Sequence, residues 1–248
     1  MYSFSRTALL LVLALTTTLG MEAQSSSSQP EKPATPPSNQ GSLSVQARIR
    51  ARREQRRVAA IHDVYTHLYE AYLGTGYLRF QPGPGVTGLG ALQKLNEFEW
   101  DLGVTRYFNE RLGVTIDGRG AYGTAYIGPA NPASGGALNK PSISEYSGMI
   151  GPTYRFLLAP KYSVSGRVLA GGVFGNFLSD ANGFTAAETG LFPDGGGLAV
   201  NASIPVEYNL SPEIGLRVAP EYFLTTFGSK MQNNLGFTAS LVVRWGKQ

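Results

Sequence analysis

Two histidines, His62 and His67, provide the only imidazoles of the chain. An imidazole near neutral pH is the commonest general base and metal ligand. Their spacing of five is poor for binding a metal on one helix face, and the sequence has no cysteine to complete a zinc site. Both lie just before or at the start of the first predicted strand. We therefore expect no catalytic residue, no metal, no cofactor and no enzymatic activity.

Acidic residues stand at every second position of a second stretch, at Glu97, Glu99 and Asp101. An extended chain points successive side chains to opposite faces, so this stretch has an acidic face and an apolar face that holds Trp100 and Leu102. A soluble sandwich would bury the apolar face, whereas a membrane barrel would turn the acids inward. The elements around this stretch must decide between the two.

The N-terminal part of the chain predicts an exported protein with a basic arm. Residues 1–23 combine Arg6 with an apolar run too short to span a bilayer, which predicts a signal peptide. Residues 24–46 are rich in serine and proline and predict a flexible linker. Residues 47–63 predict a basic helix, in which Arg48 to Arg57 could contact cell wall or anionic headgroups, or could simply be a solvated face. Export makes nucleic acid an unexpected partner.

Residues 64–248 change in character to long strands separated by turn-forming residues. Their length suits tilted strands that cross a bilayer. Short turns alternate with long loops, as in outer-membrane barrels, whose short turns face the periplasm. The predicted fold is all-β, an eight-stranded antiparallel transmembrane β-barrel. Its strands are predicted at 65–80, 96–107, 112–127, 143–157, 162–178, 196–209, 214–228 and 233–246.

Nearly every predicted strand has a polar face and an apolar face, and we assign the polar face to the lumen. That face carries arginine with aspartate and glutamate, and such charges could neutralise one another in a narrow barrel. The predicted interior charge network comprises Glu97, Glu99, Asp101, Asp117, Arg119, Arg155, Arg167, Glu207, Arg217, Glu221 and Arg244.

Aromatic residues on the apolar face cluster toward the strand ends, which predicts two belts at the membrane interfaces. The loop-side belt comprises Trp100, Tyr122, Tyr126 and Tyr146. The turn-side belt comprises Tyr107, Tyr154, Phe156, Tyr162, Tyr208 and Trp245.

Five residues oppose this assignment. Arg79 and Arg106 fall on the apolar face, near strand ends where a long side chain can reach the interface. Pro152, Pro205 and Pro220 lack an N–H inside predicted strands, and we expect bulges at these positions.

The strand pattern, the Gly-Pro-Thr-Tyr-Arg-Phe segment at 151–156 and the terminal Thr-Ala-Ser-Leu-Val-Val-Arg-Trp at 238–245 resemble one known family. They are similar to the small eight-stranded outer-membrane barrels of the outer membrane protein A and X kind, over roughly residues 65–248. The resemblance implies a porin-like, monomeric protein of the Gram-negative cell envelope. It also implies residence in the cell outer membrane, contact with outer-membrane lipid and insertion by the barrel-assembly machinery.

An eight-stranded barrel has room for little more than its own side chains. We therefore expect a plugged, charge-paired lumen and a structural or surface-interaction role. Two alternatives stay open at this point. One is a narrow pore or transport protein, and the other is a secreted soluble barrel that binds a small apolar ligand.

Overall fold

The computed structural model describes residues 45–88, 90–128, 140–228 and 230–246. The predicted signal peptide and the linker up to residue 44 lie outside these ranges. Helix α1 (Val45–Tyr65) precedes nine strands and the short helix α2 (Ala186–Thr189). The strands are β1 (Tyr69–Phe80), β2 (Leu95–Tyr107), β3 (Leu112–Thr124), β4 (Ser142–Leu158), β5 (Tyr162–Asn176), β6 (Gly195–Ser203), β7 (Val206–Asn209), β8 (Ile214–Phe227) and β9 (Lys230–Trp245).

The strands form a closed antiparallel ring. Strand β1 pairs with both β2 and β9, which joins the two ends of the sheet. Strands β6 and β7 share the neighbours β5 and β8, so together they act as one interrupted strand and the ring has eight members. The predicted all-β class and the eight-stranded antiparallel barrel are confirmed.

Two prolines explain the interruption between β6 and β7. Pro205 lies between these strands, and the pairing of β8 changes there from Glu221, opposite β6, to Val218, opposite β7. Pro220 therefore lies opposite the same gap. Neither proline has an N–H to donate, so the missing pairing at this point loses no hydrogen bond from either residue. Pro152 lies in a gap of the β4–β5 ladder, but the register is the same on both sides of that gap and shifts only between Arg155 and Leu157, so the bulge expected at Pro152 is wrong. The gap itself accommodates the missing N–H.

Burial alternates strictly along β2. Every odd-numbered residue from Leu95 to Tyr107 is buried, and every even-numbered residue is exposed. Glu97, Glu99 and Asp101 therefore point into the lumen, while the side chains between them point outward. The barrel thus has a polar interior and an apolar exterior.

Helix α1 is longer at both ends than the predicted 47–63, and the first strand begins at Tyr69 rather than at residue 65. The physical reason is that the helix continues until Val64 and Tyr65 are buried. At this end of the helix, the amide and the hydroxyl of Thr66 both donate to the His62 carbonyl, at 3.1 and 2.7 Å. Among the helices that the structure describes, none is both long and apolar enough to cross a membrane.

Glycine on β1 makes space for the acids of β2. A Cβ atom on Gly74 would lie 2.5 Å from the Asp101 Oδ1 atom and 2.5 Å from the Ala239 carbonyl oxygen. Both contacts are too short for a carbon and an oxygen atom, and the carbonyl oxygen of Ala239 belongs to backbone that cannot move aside. The inward face of β1 is therefore left without a side chain where the carboxylate of Asp101 needs the room.

We predict that Gly74→Ala destabilises the barrel by about 1 to 3 kcal/mol, because the added methyl group overpacks the lumen. Gly148→Ala is the matched control, since a Cβ atom there meets no atom within 4 Å. We expect the control to change the free energy of unfolding by less than about 0.5 kcal/mol. Urea unfolding followed by tryptophan fluorescence measures both, and equal stability of the two variants would contradict the role given to Gly74.

Candidate functional site in the barrel lumen

Five charged side chains fill the lumen at the end where the short connections 108–111, 159–161 and 210–213 lie, which we call the turn end. The carboxylate of Glu70 accepts hydrogen bonds from Arg155 Nη2 at 2.7 Å and Arg244 Nε at 3.0 Å, and also from Arg217 Nη2. All of these groups are buried. We call this group the basal cluster: Glu70, Arg155, Glu207, Arg217 and Arg244.

Glu207 completes the basal cluster. Its carboxylate accepts from Arg217 Nε at 2.9 Å and from Arg244 Nη2 at 2.5 Å. Three guanidinium groups and two carboxylates leave a formal charge of +1 in a space closed to solvent. A buried ionic group of this kind is tolerated when each charge keeps its partners.

Glu70 was missing from the sequence-based network although it is the carboxylate with the most arginine partners. Alternation counted back from the inward Leu78 and Phe80 reaches Glu70 and would have identified it. The alternation of β1 is hard to see in the sequence, because the inward positions between Glu70 and Leu78 are occupied by glycine and tyrosine and not by charged residues.

Tyr65, the last residue of α1, closes the turn end. Its hydroxyl donates to the Ala159 carbonyl at 2.9 Å and accepts from Asn209 Nδ2 at 2.8 Å. Burial raises the pKa of the Tyr65 phenol, which therefore stays protonated and able to donate. The Arg155 guanidinium lies 5.1 Å from the centre of its ring. The helix is thus anchored to the barrel wall and to the basal cluster by one side chain.

Tyr107 does not belong to the turn-side belt, which corrects the prediction. It is an inward residue of β2 with 1% of its surface exposed, and its ring centre lies 3.6 Å from the Arg155 guanidinium carbon. Strict alternation is the reason, because the neighbouring Arg106 is the outward residue. The exposed Arg106 lies 6.0 Å from the centre of the Phe108 ring, and Arg79 also faces outward.

A second ionic group, which we call the central cluster, lies above the basal cluster and comprises Tyr72, Asp117, Arg119, Arg167 and Glu221. Arg119 donates to Asp117 and to Glu221, each at 2.6 Å. Arg167 donates to the Tyr72 hydroxyl at 2.6 Å, and Tyr72 donates in turn to Asp117. Two arginines and two carboxylates give this cluster a formal charge of zero.

Four further acids, the acid group, lie toward the opposite end, where the long connections meet and which we call the loop end. They are Glu97, Glu99, Asp101 and Glu145, all between 0 and 3% exposed. Arg119 Nη1 lies 4.0 Å from Glu99 Oε1. Within the described ranges, no hydrogen-bond partner reaches either carboxyl oxygen of Glu97, Asp101 or Glu145. Of the interior carboxyl groups that the structure describes, these have the fewest partners.

An apolar cap closes the loop end. The rings of Phe177 and Phe227 have centres 5.0 Å apart, and Phe80 and Phe192 lie 6.0 and 5.9 Å from Phe177. All four rings are buried, together with aliphatic residues of the strands and long loops. The acid group is therefore enclosed between the cap and the central cluster.

The structure places all eleven residues of the predicted network in the interior, at 0 to 5% exposure. Nine of them form ion pairs within 4.0 Å, and Glu97 and Asp101 do not. The expectation of mutual neutralisation is not met for these two residues. Arg119 is the cross-strand partner of Asp101, but its guanidinium group binds Asp117 and Glu221 instead. The eight remaining tyrosine and tryptophan residues of the belts are 36 to 50% exposed: Trp100, Tyr122, Tyr126, Tyr146, Tyr154, Tyr162, Tyr208 and Trp245.

The histidines have local partners. His62 Nδ1 lies 3.1 Å from Glu110 Oε1, and His67 Nδ1 lies 3.0 Å from the Val64 carbonyl. Among the residues that the structure describes, no group of three or more histidine, aspartate or glutamate side chains is arranged to hold a metal.

No protein-family model matches the sequence, and no curated protein matches it. Among solved structures, Ail, the attachment invasion locus protein of Yersinia pestis, crystallised with the heparin analogue sucrose octasulfate, aligns with a TM-score of 0.41 and 15% identity, covering 70% of this chain and 97% of Ail. Neisserial surface protein A aligns with a TM-score of 0.45 and 11% identity, covering 71% of this chain and 97% of that protein. The outer membrane protein OprG of Pseudomonas aeruginosa aligns with a TM-score of 0.42 and 11% identity, covering 72% of this chain and 97% of OprG. Likenesses this low say nothing of this chain's ligands or partners.

We predict that Glu70→Gln lowers the free energy of unfolding by about 3 to 5 kcal/mol, because three buried arginines lose a shared counter-charge. Glu213→Gln is the matched control, since Glu213 is exposed in a turn at the same end of the barrel. We expect the control to lie within about 0.5 kcal/mol of the parent. Urea titration of both variants makes the comparison, and a Glu70→Gln barrel as stable as the control would refute a central role for Glu70.

Proposed function

We propose that this protein is an integral β-barrel of the bacterial outer membrane whose plugged lumen supports a structural or surface-interaction role at the loop end. The observation that carries the proposal is the inverted distribution of polarity. Buried arginines and carboxylates fill the interior, and large apolar side chains cover the exterior. A soluble protein arranges its residues the other way round.

The apolar exterior extends around the whole ring. Each of the eight ring members contributes at least one large apolar residue that is about half exposed or more: Leu73, Leu102, Ile116, Ile150, Val168, Leu198, Val218 and Leu241. Monomeric soluble proteins rarely expose a continuous apolar surface of this extent. Contact with lipid removes the penalty of exposing it to water.

A closed ring also suits the bilayer, because every strand has two hydrogen-bonded neighbours and no edge is left unpaired. The exposed tyrosines and tryptophans lie on both sides of the aliphatic zone, where the two interfaces would select them. The predicted signal peptide supplies the route of export. Together these features support the outer membrane over the soluble, ligand-binding alternative.

A plugged lumen favours a structural or surface role over a pore. From the turn end to the loop end, the interior contains Tyr65, the basal cluster, the central cluster, the acid group and the apolar cap in succession. Guanidinium groups joined to carboxylates on several strands cannot move aside without breaking buried ion pairs. None of these layers resembles a catalytic arrangement, and we propose that the protein is not an enzyme.

The loop end has a defined surface that could meet a partner. Two long connections are joined there, because the Gly85 amide donates to the Gly190 carbonyl at 2.9 Å and the Phe192 amide donates to the Pro82 carbonyl at 3.0 Å. Helix α2 begins with a capping box, and the hydrogen bond from the Thr185 amide lowers the pKa of the Glu188 carboxyl. Ordered loops reduce the entropy lost when a surface binds a partner.

We predict that Leu102→Arg lowers the free energy of unfolding more than Leu112→Arg does. Leu102 pairs with Gly118 in the middle of the wall, and Leu112 begins β3 at the turn end. Their exposed fractions are similar, 49 and 41%. In a bilayer, arginine costs about 2 to 4 kcal/mol at the midplane and about 0 to 1 kcal/mol near the interface.

Unfolding of the two variants in lipid vesicles measures the difference, and gel migration with and without boiling checks that each barrel has formed. Small and equal effects would contradict lipid contact, since exposed positions of a soluble protein tolerate arginine alike. Folding of the parent protein without detergent or lipid would also contradict lipid contact and would favour the soluble alternative.

We also predict that the protein gives no stepwise conductance in a planar bilayer, because the lumen is filled along its length. Heat-modifiable migration of the protein recovered from vesicles is the control for insertion. Discrete, cation-selective openings would instead support the pore alternative, with the acid group as its selective region.

A further inference from the structure

Helix α1 carries an excess of positive charge along its exposed length. Six arginines stand against Glu54 and Asp63, which gives the helix a formal charge of +4. Residues 45–59 are exposed, apart from the half-buried Ala47. The last turn anchors the helix, through the buried Tyr65 and through the contact of His62 with Glu110. The arginines are therefore presented to the surroundings of the turn end.

We propose that α1 binds an extended polymer that carries carboxylates at regular intervals. This inference goes beyond the plugged barrel and needs only the helix and its anchor. Arg48, Arg52 and Arg56 are four residues apart, which spaces them about 6 Å along the helix. An extended polyacid places the side chains of one face about 6.6 to 6.8 Å apart. Arginine, and not lysine, is the residue that binds carboxylates in a bidentate manner.

A lipid surface fits this helix less well than a polymer. At 3.6 residues per turn, the six arginines extend over about 200° of the circumference, more than one flat surface can contact. Residues 45–63 include no tryptophan, phenylalanine, tyrosine or leucine, the side chains that hold an amphipathic helix in the interface.

The test uses the full chain in phosphatidylcholine nanodiscs and fluorescein-labelled polyglutamate, with binding followed by fluorescence anisotropy. The test variant combines Arg52→Gln, Arg53→Gln and Arg56→Gln. We expect about tenfold weaker binding, because the variant loses three exposed charge pairs with the polymer. The control combines Arg79→Gln, Lys140→Gln and Lys230→Gln, which remove the same charge from exposed sites at the loop end. We expect its affinity to stay within about twofold of the parent.

Salt should weaken binding by the parent more than binding by the test variant. Equal loss in both triple variants would overturn the proposal, because it would show attraction to net charge alone. Absence of polyglutamate binding at low salt would also overturn it. Nanodiscs that contain phosphatidylglycerol provide the remaining arm, since loss of polyglutamate binding in them would assign the helix to lipid. Heat-modifiable migration of every variant separates failure of the barrel from failure of the helix.

Discussion

The carboxylate of Glu70 is the group on which the turn end of the barrel depends. Its three guanidinium partners, Arg155, Arg217 and Arg244, belong to three different strands and are separated from it by 85, 147 and 174 residues along the chain. One side chain of β1 thus connects β4, β8 and β9 across the lumen. Without it, Arg217 and Arg244 would share Glu207, and Arg155 would have no ion-pair partner among the described residues. Burial of uncompensated charge is among the most destabilising changes known in proteins.

This ionic interior fixes the register of the sheet. A slip by one residue would turn every inward charge toward the exterior and every apolar side chain inward. The glycines of β1 add a steric condition, because only Gly74 leaves room for Asp101 and the carbonyl of Ala239. Charge and close packing therefore select the same alignment of strands, and the interrupted strand formed by β6 and β7 accommodates Pro205 and Pro220 at one shared position.

The sequence predicted what depends on local alternation and missed what depends on pairing across the lumen. The inward acids of β2 and the outward Trp100 follow from a period of two, and the strand count follows from the turn-forming residues between the strands. Tyr107 was misplaced because its aromatic type outweighed its position in that same period. The absence of an ion pair at Glu97 and Asp101 could not be predicted, because it depends on which carboxylates the inward arginines select, as when Arg119 binds Asp117 and Glu221 rather than its cross-strand partner Asp101. The extension of α1 to Tyr65 likewise depends on contacts with Ala159 and Asn209.

The apolar cap and the outer surface are made by the same residues at the loop end. Phe192 packs in the apolar cap, and its own amide binds the neighbouring long connection at Pro82. Phe177 contacts three other rings of the cap, and its amide donates to Asp194 at 2.6 Å. A movement of these loops would therefore open the cap above the acid group. Conversely, burial of the cap holds the loops in one arrangement, so the packing of these rings also orders the outer surface of the loop end.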